Sequence, residues 1–153
     1  MDFGSMIVGS NPTTPIWFCL MIIMGVSSIV NCIDNTGVVY VKIIKVFGHS
    51  NKRVAKIGDR ISLVISSINL NTKNMKDNRR RHRLRRGTIH KGIVVQTKQR
   101  FYRLNKTWIK FTKNAIVLVD RKNTPLGKKI KGLIPLEVAY KYPKVASIST
   151  RIV

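Results

Sequence analysis

Val38-Val39-Tyr40-Val41-Lys42-Ile43-Ile44-Lys45-Val46 follows the polar turn Asp34-Asn35-Thr36-Gly37 and ends at Gly48. β-Branched side chains lose rotamer freedom in a helix and pack well on a pleated surface, so this stretch reads as a strand. Its nearly continuous apolar character predicts burial on much of both faces. Upstream, Ile29–Ile33 reads as a first strand. Downstream, a basic loop closes at Ile57-Gly58-Asp59, and Ile61-Ser62-Leu63-Val64-Ile65-Ser66 alternates as a half-buried strand with Leu63 inward. Another strand is expected from about Ile89 to Thr97. Trp108-Ile109-Lys110-Phe111 and Ala115–Val119 read as a hairpin turning at Thr112–Asn114. Short strands at close spacing, punctuated by Gly and Asn, predict a mainly β chain closed into a small barrel and not a βαβ sheet. Helical potential is confined to about Leu136–Ser147, where Pro143 splits it into short helices that cap the barrel.

Charge divides the chain. The 29 Lys+Arg against 6 Asp+Glu give +23 over 153 residues, enough chain for one modest domain. Residues 1–41 hold no Lys or Arg, so all 29 fall in 42–153, where four acids leave a net +25. A compact chain so charged repels itself unless a polyanion neutralises it, and nucleic acid phosphates do this with release of counterions. The densest run, Lys73 to Arg86, contains Lys73, Lys76, Arg79, Arg80, Arg81, Arg83, Arg85 and Arg86 with only Asp77 opposed. With little that is apolar it cannot fold by itself, and it reads as an RNA-contacting arm in preference to a solvated loop or an import signal. Residues 1–23 form an apolar extension; the run Ile16 to Val30 falls short of the ~20 residues of a spanning helix.

Catalytic chemistry finds no foothold. Asp34 and Asp59 sit in Gly-containing turns, where local backbone hydrogen bonds account for them, and Asp120 and Glu137 stand apart. A nuclease gathers several carboxylates around Mg²⁺. Cys19 and Cys32 lack metal-ligand spacing, and His49, His82 and His90 are scattered among polar residues. The sequence is therefore not read as an enzyme, and no cofactor, metal or small-molecule substrate is expected. The competing reading is a polybasic peripheral membrane protein anchored by the apolar head.

Several pieces of sequence together resemble the universal large-subunit ribosomal protein fourteen family over roughly residues 24–153. Asn31-Cys32-Ile33-Asp34-Asn35-Thr36-Gly37 is similar to the family's early turn, Ile43-Ile44-Lys45-Val46-Phe47-Gly48 to the segment after it, and Ile57-Gly58-Asp59 to its loop-closing pair. Gly92-Ile93-Val94-Val95, Asn105, Phe111, Asn114 and Val117-Leu118 follow the order of its central signature. Thr124-Pro125-Leu126-Gly127 and Lys131-Gly132 resemble its closing loop. The resemblance implies a five-stranded β-barrel with short C-terminal helices. It also implies a structural protein that binds large-subunit ribosomal RNA near the subunit interface, contributes to a bridge with small-subunit RNA and touches neighbouring ribosomal proteins.

The chain departs from the family pattern in three places. Lys106 stands where the family turn carries Gly, so a different turn is expected there. The basic insertion at about 71–87 is longer than usual, and residues 1–23 have no counterpart. The RNA-binding residues expected are Lys52, Arg53 and Lys56 in one loop; Arg79, Arg80, Arg81, Arg83, Arg85 and Arg86 in the arm; Lys98, Arg100, Arg103 and Lys106 beside Phe101 and Tyr102; and Lys128, Lys129 and Lys131 in the closing loop. Phe101 and Tyr102 suit either base stacking or core packing. Richness in Ile, Asn and Lys, with no arginine-rich presequence, suggests a mitochondrial ribosome and a gene in the organelle.

Overall fold

The computed structural model describes residues 24–48, 53–69 and 84–153. Five strands close a barrel in the order β1 (Ile29–Cys32), β2 (Val38–Val46), β3 (Arg60–Ile68), β4 (Ile89–Gln96) and β7 (Ala115–Val119). Four of the five seams are antiparallel; β1 and β7 close the circle in parallel, Asn31 beside Ala115 and Cys32 beside Ile116. Between β4 and β7 a two-stranded ribbon is inserted, β5 (Phe101–Tyr102) with β6 (Trp108–Ile109). After the barrel come β8 (Ile130–Ile134), α1 (Leu136–Lys141), α2 (Pro143–Ala146) and β9 (Ser149–Ile152), with β9 returning parallel to β8.

Two cores share the wall made by β4 and β7. Inside the barrel pack Val41, Ile43, Ile61, Leu63, Ile65, Val94, Ile116 and Leu118, with Met24 and Val30 among them. On the outer side, Ile93, Val95, Ala115, Val117 and Val119 meet Ile130 and Ile134 of β8 and Val138 and Val145 of the helices. All five residues of β7 are buried, as is Gly92 to Gln96 of β4. Each aliphatic side chain so placed stabilises the fold by ~1.5–3 kcal/mol. Gly92 is required by space: a Cβ there would lie 2.7 Å from Leu63 Cδ2 and 3.2 Å from the Val117 carbonyl.

Three expectations are corrected. First, two-sided burial belongs to β4 and β7 and not to β2, whose Tyr40, Lys42, Ile44 and Lys45 are exposed. Register shifts along the β2–β3 seam, one of them between Ile43 and Lys45, let an apolar run present Ile44 outward. Second, Trp108–Ile109 does not pair with Ala115–Val119. Gln96 already pairs with Ala115, so β4 is the partner of β7 and the residues between them fold back on themselves. Third, Lys106 does adopt the left-handed conformation, φ 63°. Lys106 N–H donates to the Arg103 carbonyl (3.1 Å) and Arg103 N–H to the Thr107 carbonyl (2.9 Å), while Asn105 Oδ1 accepts from Thr107 N–H. This is a three-residue hairpin loop whose last position favours Gly, here kept with a Lys in it.

The helices form where expected, and Pro143 opens the second. They dock on the loop before β3: Gly58, at φ 78°, offers its carbonyl to Lys141 Nζ (2.8 Å) and Tyr142 Oη (3.2 Å).

Candidate nucleic-acid interface

The ribbon is built from Thr97 to Asn114, a stretch with Lys98, Arg100, Arg103, Lys106, Lys110 and Lys113 and not one carboxylate. Its base is fixed on both sides. Phe111 N–H donates to the Thr97 carbonyl, and Asn114 Oδ1 accepts from Lys98 N–H at 2.7 Å. Alternation along β5 separates the two aromatics: Phe101 is half-buried, whereas Tyr102 is 54 % exposed. Opposite Tyr102 stands Trp108, 62 % exposed, the two rings 4.9 Å apart and tilted by 56°. Leu104 at the tip is fully exposed. Water gains nothing from so much uncovered apolar surface, and a flat π-face flanked by cations is what unpaired bases stack on.

Arg103 has a different position from its neighbours. Its Nε lies 2.7 Å from Glu137 Oε1, not aligned well enough for a hydrogen bond, while Nη2 donates to Glu137 Oε2 (3.3 Å) and to the Val153 carbonyl (2.5 Å). The guanidinium also lies 6.0 Å from the Phe101 ring centroid. Arg103 thereby ties the ribbon to α1 and to the strand end after β9.

The other expected residues divide by location. Arg53 and Lys56 are exposed before β3, where Asp59 Oδ2 accepts from Lys56 N–H at 2.7 Å. Arg85 and Arg86 are exposed on the turn into β4, shaped by Gly87 at φ 85°. Lys128 and Lys129 are exposed on the loop entering β8, and Lys131 on the strand itself. That loop is tied to the β1–β2 turn through Asn35 N–H to the Lys129 carbonyl and Lys131 N–H to the Ile33 carbonyl. Lys98, Arg100 and Lys106 are exposed on the ribbon. Lys52, Arg79, Arg80, Arg81 and Arg83 lie outside the described residues, as do the extension 1–23 and most of the arm.

The sequence reading missed Leu104, Trp108, Lys110 and Lys113 as parts of this surface. Pairing Trp108 with Tyr102 would have found the first two, since a Leu-Asn-Lys loop between aromatics carries hairpin chemistry of its own. Two of the four carboxylates among the described residues are committed within the fold. Glu137 is taken by Arg103, and Asp34 is buried with Oδ2 accepting from Leu118 N–H and Oδ1 from Thr36. Burial pushes the Asp34 carboxyl up, the hydrogen bonds from Thr36 and Leu118 opposing it.

The sequence profile of ribosomal protein L14p/L23e matches residues 21–153. The chain belongs to this family. Members of the L14p/L23e family are structural constituents of the large ribosomal subunit that bind ribosomal RNA and other ribosomal proteins; the family is not one of enzymes. The closed five-stranded barrel and the two short helices agree with what the resemblance implied. Among the described residues, no helix is long and apolar enough to cross a membrane.

Proposed function

We propose that this L14p/L23e protein binds large-subunit ribosomal RNA near the subunit interface, with the β5–β6 ribbon as its principal contact, and that it contributes to a bridge with small-subunit RNA. The observation that carries this reading is the ribbon itself: six cations, no carboxylate, and a paired, solvent-exposed Tyr102 and Trp108 on a pinned base. Phosphates would be held by Arg100 and Lys106, and an unpaired base would stack on the aromatic pair. Arg53, Lys56, Arg85, Arg86, Lys98, Lys128, Lys129 and Lys131 would add phosphate contacts around the barrel, with Lys52, Arg79, Arg80, Arg81 and Arg83 extending them. Arg103 serves better as the strut that orients the ribbon than as a contact.

The composition, rich in Ile, Asn and Lys, supports a mitochondrial ribosome as its place of work; mass spectrometry of purified mitochondrial ribosomes tests that separately. For the RNA contact, a Tyr102→Ala/Trp108→Ala variant should remain folded by circular dichroism yet bind large-subunit RNA several-fold more weakly, by ~1–3 kcal/mol for each stacked base lost. Arg100→Gln/Lys106→Gln should flatten the log–log salt slope by up to ~0.7 for each single-strand phosphate contact removed. Unchanged affinity in both variants would exclude the ribbon as the contact. Subunit joining followed by light scattering tests the bridge.

A further inference from the structure

Beside the β1–β2 turn a cavity of about 320 Å³ opens to solvent. Its rim is assembled from three separate parts of the chain: Asn35 in the turn, Lys113 in the loop before β7, and Lys131 in β8. Three backbone hydrogen bonds hold these parts together. Asn35 N–H donates to the Lys129 carbonyl (3.0 Å), Lys131 N–H to the Ile33 carbonyl (2.7 Å), and Asn31 N–H to the Asn114 carbonyl (3.3 Å). Val39, half-buried, also lines the cavity, whereas the side chain of the adjacent Val38 is turned into the barrel core. Asp34 also borders the cavity; its oxygens accept from Leu118 and Thr36, and among the described residues it forms no ion pair with either ammonium. Among the described residues neither Lys113 nor Lys131 has an ion-pair partner. Two cations without an ion-pair partner, the Asn35 amide and the half-buried Val39 around one cavity make a site for a ligand having a phosphate and a flat face.

We propose that this cavity receives one unstacked nucleotide of RNA, its phosphate between Lys113 and Lys131, its base against Val39, and the Asn35 amide on the base edge. The volume is at the small end of the ~300–1,000 Å³ of ligand pockets, which suits one nucleotide and excludes a duplex. Single-stranded RNA is read in this way, with splayed bases hydrogen-bonded on their edges. A lone carboxylate from a protein would satisfy the lysines but leave Asn35 and Val39 unused. The proposal rests on the RNA-binding reading above and gives Lys113, at the base of the ribbon, and Lys131 one shared nucleotide as their ligand.

The test uses the full chain at moderate salt with large-subunit ribosomal RNA carrying 4-thiouridine, photocrosslinked and mapped by mass spectrometry. A crosslink within residues 32–39 is expected. In a Lys113→Gln/Lys131→Gln variant it should fall severalfold while crosslinks on the ribbon persist, and Lys113→Arg/Lys131→Arg should retain it. The Gln variant should also flatten the salt slope by up to ~1.4, which is ~0.7 for each of two contacts to a single strand. Ribbon crosslinks without any at 32–39, or a crosslink there unaffected by the Gln changes, overturns the proposal and leaves the functional reading intact. So does an intact particle in which residues 32–39 crosslink to a neighbouring protein in place of RNA. A chain that binds no ribosomal RNA overturns both.

Discussion

The Asp34 carboxylate joins two places 84 residues apart, taking Leu118 N–H on one oxygen while the other holds its own turn through Thr36. Asp34→Ala leaves buried donors without an acceptor and should destabilise the fold by roughly 2–4 kcal/mol, read as a shift in the urea midpoint. The same residue sets a pH dependence. Because burial pushes its carboxyl above the ordinary 3.8, the folded state binds that proton more tightly than the unfolded state does. Stability from this group is therefore greatest below 3.8 and falls as pH rises through the raised folded value, the reverse of an ion-paired carboxylate. Subtracting the pH profile of Asp34→Asn from that of the wild type isolates the slope; a difference that rises with pH would refute it. Lys106 presents the opposite case, a residue in a conformation that does not suit it. Its left-handed backbone costs about 1–2 kcal/mol relative to a right-handed residue, part of which glycine's larger unfolded-state entropy offsets. Lys106→Gly should raise the thermal midpoint by an amount equivalent to ~0.5–1 kcal/mol, and a fall would show that the lysine makes a contact of its own.

Among the elements, the ribbon is held at its base by β4 and β7 and at its side by Arg103 against Glu137. Glu137 is nearly half exposed, so the pair is worth at most ~1 kcal/mol to global stability. Its effect should be local. Glu137→Gln should leave the unfolding midpoint almost unmoved while speeding amide exchange at Arg103 and Lys106, whose N–H groups close the hairpin loop. Equal protection in both proteins would mean that the ribbon is rigid without this tie. The ribbon also marks where the sequence stopped being legible. β1 to β4 and β7 could be read from β-branched runs and turn residues, because each is several residues long and its pattern repeats. β5 and β6 have two residues apiece, too few to show a period, so by sequence Trp108-Ile109 reads as the hairpin partner of the nearest long strand. β8 and β9 were hidden for another reason: they pair in parallel across two helices, and a parallel partner leaves no hairpin signature. The cations were legible as a population, but which of them is pinned, as Arg103 is, depends on Glu137 being brought 34 residues back along the chain.

At the level of the whole molecule, the barrel closes only when β1 meets β7, the barrel's one parallel seam. Asn31 pairs with Ala115, so on a translating ribosome the first strand waits for 84 more residues before its second neighbour exists. At synthesis rates of about 5–20 residues per second the delay is several seconds. During it, β1 and β4 both present unpaired edges, which are templates for pairing with another chain. Order of synthesis therefore determines when this protein becomes safe from self-association: late, and all at once. A chain ended at Lys113 should be cleaved by protease within β1–β4 and aggregate, whereas one ended at Val119 should already resist cleavage there. If the shorter chain proves equally resistant, the four-stranded sheet is stable while open, and the parallel seam serves the shape of the barrel without timing its folding.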